Sequence, residues 1–149
     1  MVNGAAKVAL LVEGNPAVVD TILHAVTKDD LACEVVVTHD GAEALDYLLG
    51  RGNYDKRDTS VMPCVVLLDL SPPRRSGLEV LRQLRATPET KLLPVVTFSS
   101  SEVRQDANAI YSSGANSYIG EMSGAESFTE TLRQAAHYWF VLNEPPPTL

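Results

Sequence analysis

Short apolar runs alternate five times with segments in which apolar residues recur at helical spacing. The runs predict strands at Lys7–Val12, Glu34–Thr38, Pro63–Asp69, Pro94–Ser99 and Ser117–Ile119. Helices are predicted to begin at Asn15-Pro16 and at Asp40 and to span Gly77–Ala86, Glu102–Ser113 and about Ala125–Leu142, with a polar loop at Gly50–Met62. Repeated βα units with right-handed crossovers give a parallel sheet covered by helices on both faces. We therefore predict an α/β fold, a doubly wound five-stranded parallel sheet with strand order 2-1-3-4-5.

Composition indicates one globular unit. Of the 149 residues 45% are apolar and 21% charged, so we expect one domain over residues 1–149, with its core at about 6–142 and a proline-rich tail at 143–149. The net charge of -7 argues against binding to nucleic acid or an anionic membrane, because both need a basic surface. With no membrane-spanning run and no signal peptide, a cytoplasmic location is expected. Cys33 and Cys64 are expected to be buried thiols that the first strand keeps apart.

The third predicted strand is the most informative part of the sequence. Four apolar residues, Val65–Leu68, lead directly into Asp69, which is typical of a strand buried on both faces and ending in a polar group. Open α/β sheets bind their ligands at the carboxyl ends of the strands. Glu13 ends the neighbouring first strand, and Ser99 and Tyr118 belong to the fourth and fifth. These polar groups should therefore converge on one site.

At these residues the chain resembles the receiver domain of two-component response regulators, a CheY-like, flavodoxin-like fold. The resemblance rests on four motifs: Leu10-Leu11-Val12-Glu13-Gly14-Asn15-Pro16, Leu67-Leu68-Asp69-Leu70 with Pro73 and Gly77-Leu78-Glu79-Val80-Leu81, Pro94-Val95-Val96-Thr97-Phe98-Ser99-Ser100, and Gly114-Ala115-Asn116-Ser117-Tyr118-Ile119. The ending, Tyr138-Trp139-Phe140 followed by prolines, is similar to that of single-domain regulators that partner bacterial phytochrome kinases.

The resemblance implies a role for each of these positions. Asp69 matches the aspartate that accepts a phosphoryl group from a histidine kinase. Glu13 matches one of two acids that hold Mg²⁺ together with that aspartate, and Ser71 matches the residue whose backbone carbonyl also binds the metal. Ser99 matches the hydroxyl that bonds to the phosphoryl group, and Tyr118 matches an aromatic residue that switches between outward and inward positions.

Two positions depart from the family pattern. Gly14 stands where the second metal-binding acid is expected, so Mg²⁺ binding should be weakened but not necessarily lost. Glu121 stands where a lysine should pair with the phosphoryl group, and Met122 replaces the proline that usually follows. At about 4 Å and an effective dielectric of 20, a pair of unit charges interacts by roughly 4 kcal/mol, so exchanging a cation for an anion should disfavour added negative charge. The resemblance therefore implies a degenerate phosphorylation site.

Several alternatives stay open for the same residues. Glu121 could reach in and supply the carboxylate that Gly14 lacks. Arg74 and Arg75 could bring positive charge to the site, although a solvated loop is the simpler expectation. Purely structural roles are also possible: a strand-end cap for Asp69, a cap of the fourth helix for Ser99–Ser101, and core packing for Tyr118.

The last predicted helix has more apolar surface than one core-facing stripe. Phe128, Leu132, Ala135, Ala136 and Trp139 form that stripe, while Tyr138, Phe140, Val141 and Leu142 add apolar bulk around the helix end. Packing within the chain or against a partner would bury the excess. Phytochrome-associated regulators dimerise through the fourth helix, fifth strand, fifth helix and C-terminal arm, so the resemblance implies a homodimer.

We therefore expect a stand-alone receiver-like signalling module rather than an enzyme. It would act by protein contacts with a histidine kinase, for which the resemblance implies the phytochrome type, and its phosphorylation would be weak or absent. The alternative is a working phosphoacceptor that takes a phosphoryl group onto Asp69. Weakened Mg²⁺ binding is expected, and no organic cofactor. A phosphatase would need an aspartate at Ser71, and a flavin phosphate would be repelled by Glu13.

Overall fold

The computed structural model describes residues 7–27, 33–71, 74–99, 106–120 and 125–147, and for residues 74–76 and 125–127 it describes the backbone alone. The parallel strands are β1 Lys7–Val12, β2 Cys33–Thr38, β3 Val65–Asp69, β4 Val95–Phe98 and β5 Ser117–Ile119. The helices are α1 Pro16–Thr27, α2 Gly41–Leu49, α3 Arg74–Ala86, α4 Ala107–Ser112 and α5 Ala125–His137. The strands lie in the order β2-β1-β3-β4-β5, which confirms the predicted topology.

The sheet is buried on both faces, which explains why β1 and β3 are apolar at every position between their first and last residues. Leu10 and Leu68 face one core, whereas Leu11 and Leu67 face the other. Alternate residues of a strand point to opposite faces, so both sets have to be apolar. Each of these four side chains is at least 96% buried. In β1 and β3 charged residues stand only at the strand ends, and the candidate site begins at their carboxyl ends.

Three strand boundaries differ from the predictions by one or two residues. β2 begins at Cys33, one residue before the predicted start at Glu34. β3 begins at Val65 rather than Pro63, and β4 spans Val95–Phe98 rather than Pro94–Ser99. Proline has no backbone N–H and cannot donate within a ladder, so both prolines stand before their strands. The carbonyl of Pro94 still accepts a hydrogen bond from Val66 N, at 2.8 Å.

The predicted helix boundaries also need correction. α3 begins at Arg74, three residues before the predicted start at Gly77. α4 begins at Ala107 rather than Glu102, because Asp106 is extended and its side chain accepts a hydrogen bond from Ala109 N. α5 ends at His137, and Tyr138–Leu142 continue as a π-helical turn that Asn143 N closes onto the Tyr138 carbonyl at 2.7 Å. The predicted start of the fourth helix, residues 102–105, lies outside the described residues.

The segment between α2 and β3, predicted to be a loop, contains a 3₁₀ turn at Gly52–Tyr54. Gly50 closes α2 with φ 67°, a left-handed conformation that favours glycine. The Arg57 guanidinium then donates to the carbonyls of Tyr47, Leu48 and Val61. The end of α2 is thus capped by a side chain from its own connection to β3.

The opposite, amino-terminal edge of the sheet carries a cavity of about 200 Å³. The chain segment Pro145–Pro147 forms one wall, and residues that precede β3 and β4, among them Met62 and Leu93, form others. This cavity lies at the far end of the strands from Asp69 and does not belong to the candidate site. Cys33 and Cys64 are free thiols on either side of β1, as expected, but only Cys64 is buried and Cys33 is partly exposed. In the described part of the chain, no helix has the length and apolar character needed to cross a bilayer.

Candidate functional site

The strand register brings the predicted site residues to one end of the sheet. Val12 of β1 pairs with Leu68 of β3, so Glu13 and Asp69 are neighbours just beyond that pair. Asp69 in turn pairs with Phe98 of β4, and Ser99 follows directly. Parallel strands place their carboxyl ends at one edge, so this convergence is a consequence of the fold.

Glu13 is the most constrained of these side chains. It is only 5% exposed, and its backbone N–H donates to the Thr38 carbonyl at 2.9 Å. Its Oε2 accepts a hydrogen bond from Asn15 N at 3.1 Å, whereas Oε1 is buried without a hydrogen-bond partner among the described residues. A buried carboxylate oxygen without a donor is costly when ionised, so this site favours either a proton or a cation at Glu13.

The electrostatics of the pair point the same way. Burial raises the pKa of Glu13 to about 8, and a hydrogen bond to Asp69 and the charge of that residue add to the effect. Two carboxylates can bond to each other only when one of them carries the proton. Asp69 Oδ1 accepts a hydrogen bond from Ser71 N at 2.8 Å, which orients the Asp69 carboxylate over the turn after β3.

Of the other predicted residues, Ser99 directly follows β4 and Tyr118 lies within β5. Ser99 is fully buried, and its backbone N–H donates to the Ile119 carbonyl at 3.3 Å. Tyr118 pairs with Thr97 across the sheet and packs against the core face that contains Leu10. Its hydroxyl oxygen is buried, and no described residue accepts or donates a hydrogen bond there. The suggestion that Ser99–Ser101 cap the fourth helix is wrong for the described helix, since Asp106 caps α4; Ser100 and Ser101 lie outside the described residues.

Of the two departures from the family pattern, the structure describes Gly14 but not Glu121. Gly14 is exposed, and a Cβ built on it would lie 3.1 Å from the His39 carbonyl oxygen. A side chain at residue 14 is therefore crowded but not excluded. Glu121 and Met122 lie outside the described residues, as do the side chains of Arg74 and Arg75. The rebuilt metal site through Glu121 thus stays a prediction.

Glu13 and Asp69 are the residues that could hold a divalent cation. Hard cations such as Mg²⁺ bind oxygen ligands and are often held by one or two carboxylates with several waters. The carboxylate pair, with its orphaned buried oxygen, fits that chemistry. No group of three or more His, Cys, Asp or Glu residues suited to a metal occurs within the described ranges. The carboxylate oxygens in the described part of the chain therefore fit a divalent cation that is bound by few protein ligands.

Sequence reasoning missed three contacts that shape the site. Asn15 N supports Glu13, the His39 carbonyl borders Gly14, and Gly120 lies against the Tyr118 ring. The contact between Asn15 N and Glu13 could have been predicted from the sequence. Asn15 stands at the start of a helix, so its N–H has no partner within the helix and can donate to the acid two residues earlier. The other two depend on how separate segments pack, which local patterns do not encode.

Comparisons with known proteins agree with this geometry. The family model for the response regulator receiver domain matches residues 9–133. Response regulator Rcp1 of Synechocystis sp. is 28% identical over 133 residues, which are 89% of this chain and 88% of Rcp1. Its Mn(2+)-bound crystal structure superposes with a TM-score of 0.82 at 26% identity, over 94% of this chain and 99% of that chain.

Two further solved structures are similar over nearly the whole chain. The phosphorylated cyanobacterial phytochrome response regulator RcpA has a TM-score of 0.83 at 31% identity and covers 95% of this chain and 99% of its own. The bacteriophytochrome response regulator AtBRR has a TM-score of 0.70 at 39% identity, with 93% and 99% covered. With the sheet order, the acid pair and the family match in agreement, the chain belongs to the family of response regulator receiver domains.

Proposed function

We propose that this receiver domain works as a cytoplasmic signalling module rather than an enzyme, and that phosphorylation of Asp69 is weak or absent. Its effects would pass through contacts with a histidine kinase and with a second copy of the chain. The observation that carries the proposal is Gly14, which stands beside the acid pair where the family pattern has a second metal-binding acid. Glu13 then has to hold a cation with one carboxylate fewer.

Charge at the site supports the same view. Receiver domains bind Mg²⁺ or Mn²⁺ at their acidic site, and phosphoryl transfer relies on cations to neutralise charge on the transferred group. Here the sequence has Glu121 at the position of the lysine that would supply such a cation. A like-charge contact at about 4 Å costs roughly 4 kcal/mol at an effective dielectric of 20. The raised pKa of Glu13, to about 8, means that a metal ion also has to displace a proton at neutral pH.

A working phosphoacceptor is the second candidate. Asp69 lies at the strand end with its carboxylate oriented by Ser71 N, and Glu13 is beside it. RcpA, which is 31% identical, has been solved in a phosphorylated form. Both observations favour a competent Asp69 if Glu121 swings out of the site or joins the metal ligands.

Incubation with acetyl phosphate or beryllofluoride and Mg²⁺ separates the two candidates. Intact mass and fluorine NMR report modification, and Asp69→Asn serves as the control for attachment at this residue. Under our proposal the native protein gives little or no Asp69-dependent product, whereas Gly14→Asp combined with Glu121→Lys gains it. Gly14→Ala is the matched control, because it adds the same Cβ beside the His39 carbonyl without the carboxylate. Stable modification of the native protein would instead establish the second candidate.

The kinase partner is proposed to be of the phytochrome type. RcpA is described as a phytochrome response regulator and AtBRR as a bacteriophytochrome response regulator, and both cover nearly the whole chain. Reconstitution with a phytochrome kinase and with an unrelated histidine kinase tests this assignment. Equal binding to both kinases would contradict it.

A homodimer through α4, β5, α5 and the C-terminal arm is supported by exposed apolar side chains. Tyr111 at the end of α4 and Tyr138, Val141 and Leu142 after α5 are all about half exposed or more. Three of them, Tyr138, Val141 and Leu142, lie within one turn after α5, and a contiguous exposed apolar patch is typical of an interface. A second copy of the chain is the simplest partner, because a two-fold axis pairs each patch with its equivalent.

A further inference from the structure

The Tyr118 ring lies over Gly120 at the end of β5. Gly120 directly follows β5, and a side chain on it would lie on the same side of the chain as Tyr118. A Cβ built on Gly120 would lie 3.0 Å from Tyr118 Cε2, 3.1 Å from Cζ and 3.3 Å from the hydroxyl oxygen. These are the atoms of the far end of the ring. The phenol thus leans along the chain toward the carboxyl edge of the sheet and occupies the space that a side chain at residue 120 would need.

The Tyr118 side chain is partly buried and also packs against the core. Tyr118 packs against the core cluster that contains Val95 and Ile110, both of them fully buried. Its hydroxyl oxygen is buried and has no hydrogen-bond partner in the described structure. A side chain at residue 120 would require the ring to give way by a few tenths of an ångström, and the packing of the ring against this cluster opposes that movement. The buried position of this hydroxyl therefore depends on the missing side chain at residue 120.

We propose that Gly120 is a positioning residue that presets Tyr118 in its buried position, so that the ring stays there whether or not Asp69 carries a phosphoryl group. The inference rests on the proposed function to the extent that Tyr118 is taken as the switch residue. A receiver whose phosphorylation chemistry is impaired would then still present one fixed state of the surface around α4 and β5. The Tyr118 hydroxyl, which has no hydrogen-bond partner among the described residues, indicates a position held by packing.

Gly120 is well suited to a substitution test because its backbone does not require glycine. Gly50, Gly52 and Gly114 have positive φ, and Gly120 is not among them. A residue with a side chain at 120 consequently meets the Tyr118 ring without left-handed backbone strain. Gly120→Val should be a clean steric probe, since β-branched residues also suit an extended segment.

Fluorine NMR of protein labelled with 3-fluorotyrosine gives the direct measurement. The Tyr118 signal is assigned as the resonance lost in Tyr118→Phe, and its solvent isotope shift between H₂O and D₂O reports exposure. In the native protein we expect a small isotope shift that beryllofluoride with Mg²⁺ leaves unchanged. In Gly120→Val the same signal should move toward the chemical shift and the solvent isotope shift of free 3-fluorotyrosine.

Two results would overturn the inference. One is a Tyr118 signal that is already solvent-exposed in the native protein, and the other is a signal that Gly120→Val leaves in place. A double-mutant cycle with Tyr118→Ala adds a second readout, because the loss of stability caused by Gly120→Val should disappear once the ring is absent. An equal loss in both backgrounds contradicts the ring contact. Phosphorylation of the native Asp69 would refute the proposed function and leave these ring measurements to decide the inference separately.

Discussion

The carboxyl group of Glu13 lies beside that of Asp69 at the ends of β1 and β3, and this arrangement raises the pKa of Glu13 to about 8. Burial is the largest cause, followed by the hydrogen bond to Asp69 and by its charge. A divalent cation and a proton therefore compete for the same carboxylate. Through this pair the stability of the fold depends on pH. The binding of a metal ion is coupled both to that stability and to the pH.

We predict that metal-free protein loses stability as the pH rises from about 4.5 to beyond 8. The ordinary pKa of the Glu13 carboxyl is 4.5 and the folded value about 8, so the folded chain binds more protons in this window. The contribution of Glu13 is complete below the lower value and is lost as the pH rises through the upper one. Each unit of pKa difference contributes about 1.4 kcal/mol. Urea denaturation at a series of pH values measures the slope.

Glu13→Gln should remove most of this slope, because an amide does not titrate and its oxygen can still accept from Asn15 N. Glu89→Gln, at an exposed carboxyl, is the matched control and should leave the slope unchanged. If native protein and Glu13→Gln lose stability in parallel between these pH values, the protonation of Glu13 is not the cause.

Gly14→Asp should tighten Mg²⁺ binding by about tenfold or more, equivalent to about 1.4 kcal/mol. The added carboxylate is a hard oxygen ligand next to Glu13 and Asp69, and its charge is attracted to the cation. Gly14→Ala should show the same crowding against the His39 carbonyl, 3.1 Å from the new Cβ, without the gain in affinity. Titration calorimetry at two pH values measures affinity and proton release together. Equal affinities for the two variants would refute the missing-acid argument.

The sequence predicted the sheet order and the convergence of the site because both follow from local patterns. Apolar runs ending in Glu13 and Asp69 identify buried strands, and the parallel topology then places those ends together. The pKa of Glu13 and the contact between Gly120 and Tyr118 could not be predicted, since they depend on burial and on packing between segments. The start of α4 was not predicted because the sequence pattern does not single out Asp106, whose side chain caps this helix in the structure.

Arg57 has a structural role, although it lies in a segment that the sequence predicts to be a polar loop. Its guanidinium donates to the carbonyls of Tyr47 and Leu48 at the end of α2 and lies 4.2 Å from the centre of the Tyr47 ring. We predict that Arg57→Met lowers the free energy of unfolding by about 2–4 kcal/mol, because several charged hydrogen bonds and a cation–π contact are lost.

The control for Arg57 is Arg51→Met. Arg51 is exposed, and its Nε lies 3.7 Å from Asp46 Oδ1. Exposed ion pairs of this kind contribute at most about 1 kcal/mol to the free energy of unfolding. Urea denaturation of both variants compares the two arginines under one protocol. A cost for Arg57→Met no greater than that for Arg51→Met would show that the loop does not anchor α2.

Tyr118→Phe should leave the protein as stable as before or stabilise it by about 1 kcal/mol. The hydroxyl removed is buried without a hydrogen-bond partner in the described structure, and such a group costs free energy in the folded state. Tyr54→Phe is the matched substitution with the opposite expectation. The Tyr54 hydroxyl donates to Glu43 Oε2 at 2.6 Å, so its loss should destabilise the fold by about 1–3 kcal/mol. Thermal and urea denaturation report both signs, and destabilisation by Tyr118→Phe would show that its hydroxyl has a partner.

The proposed dimer can be tested by replacing valine with glutamate at two exposed positions, one inside the proposed interface and one outside it. Val141, which follows α5, is 49% exposed, and Val61, which precedes β3, is 53% exposed. Val141→Glu should weaken dimerisation at least tenfold, because it introduces a charge into an apolar interface, whereas Val61→Glu should leave it unchanged. Sedimentation velocity over a range of protein concentrations measures both dissociation constants. A native protein that is monomeric at micromolar concentration, or two variants with the same dissociation constant, would place the exposed end of α5 outside any self-association surface.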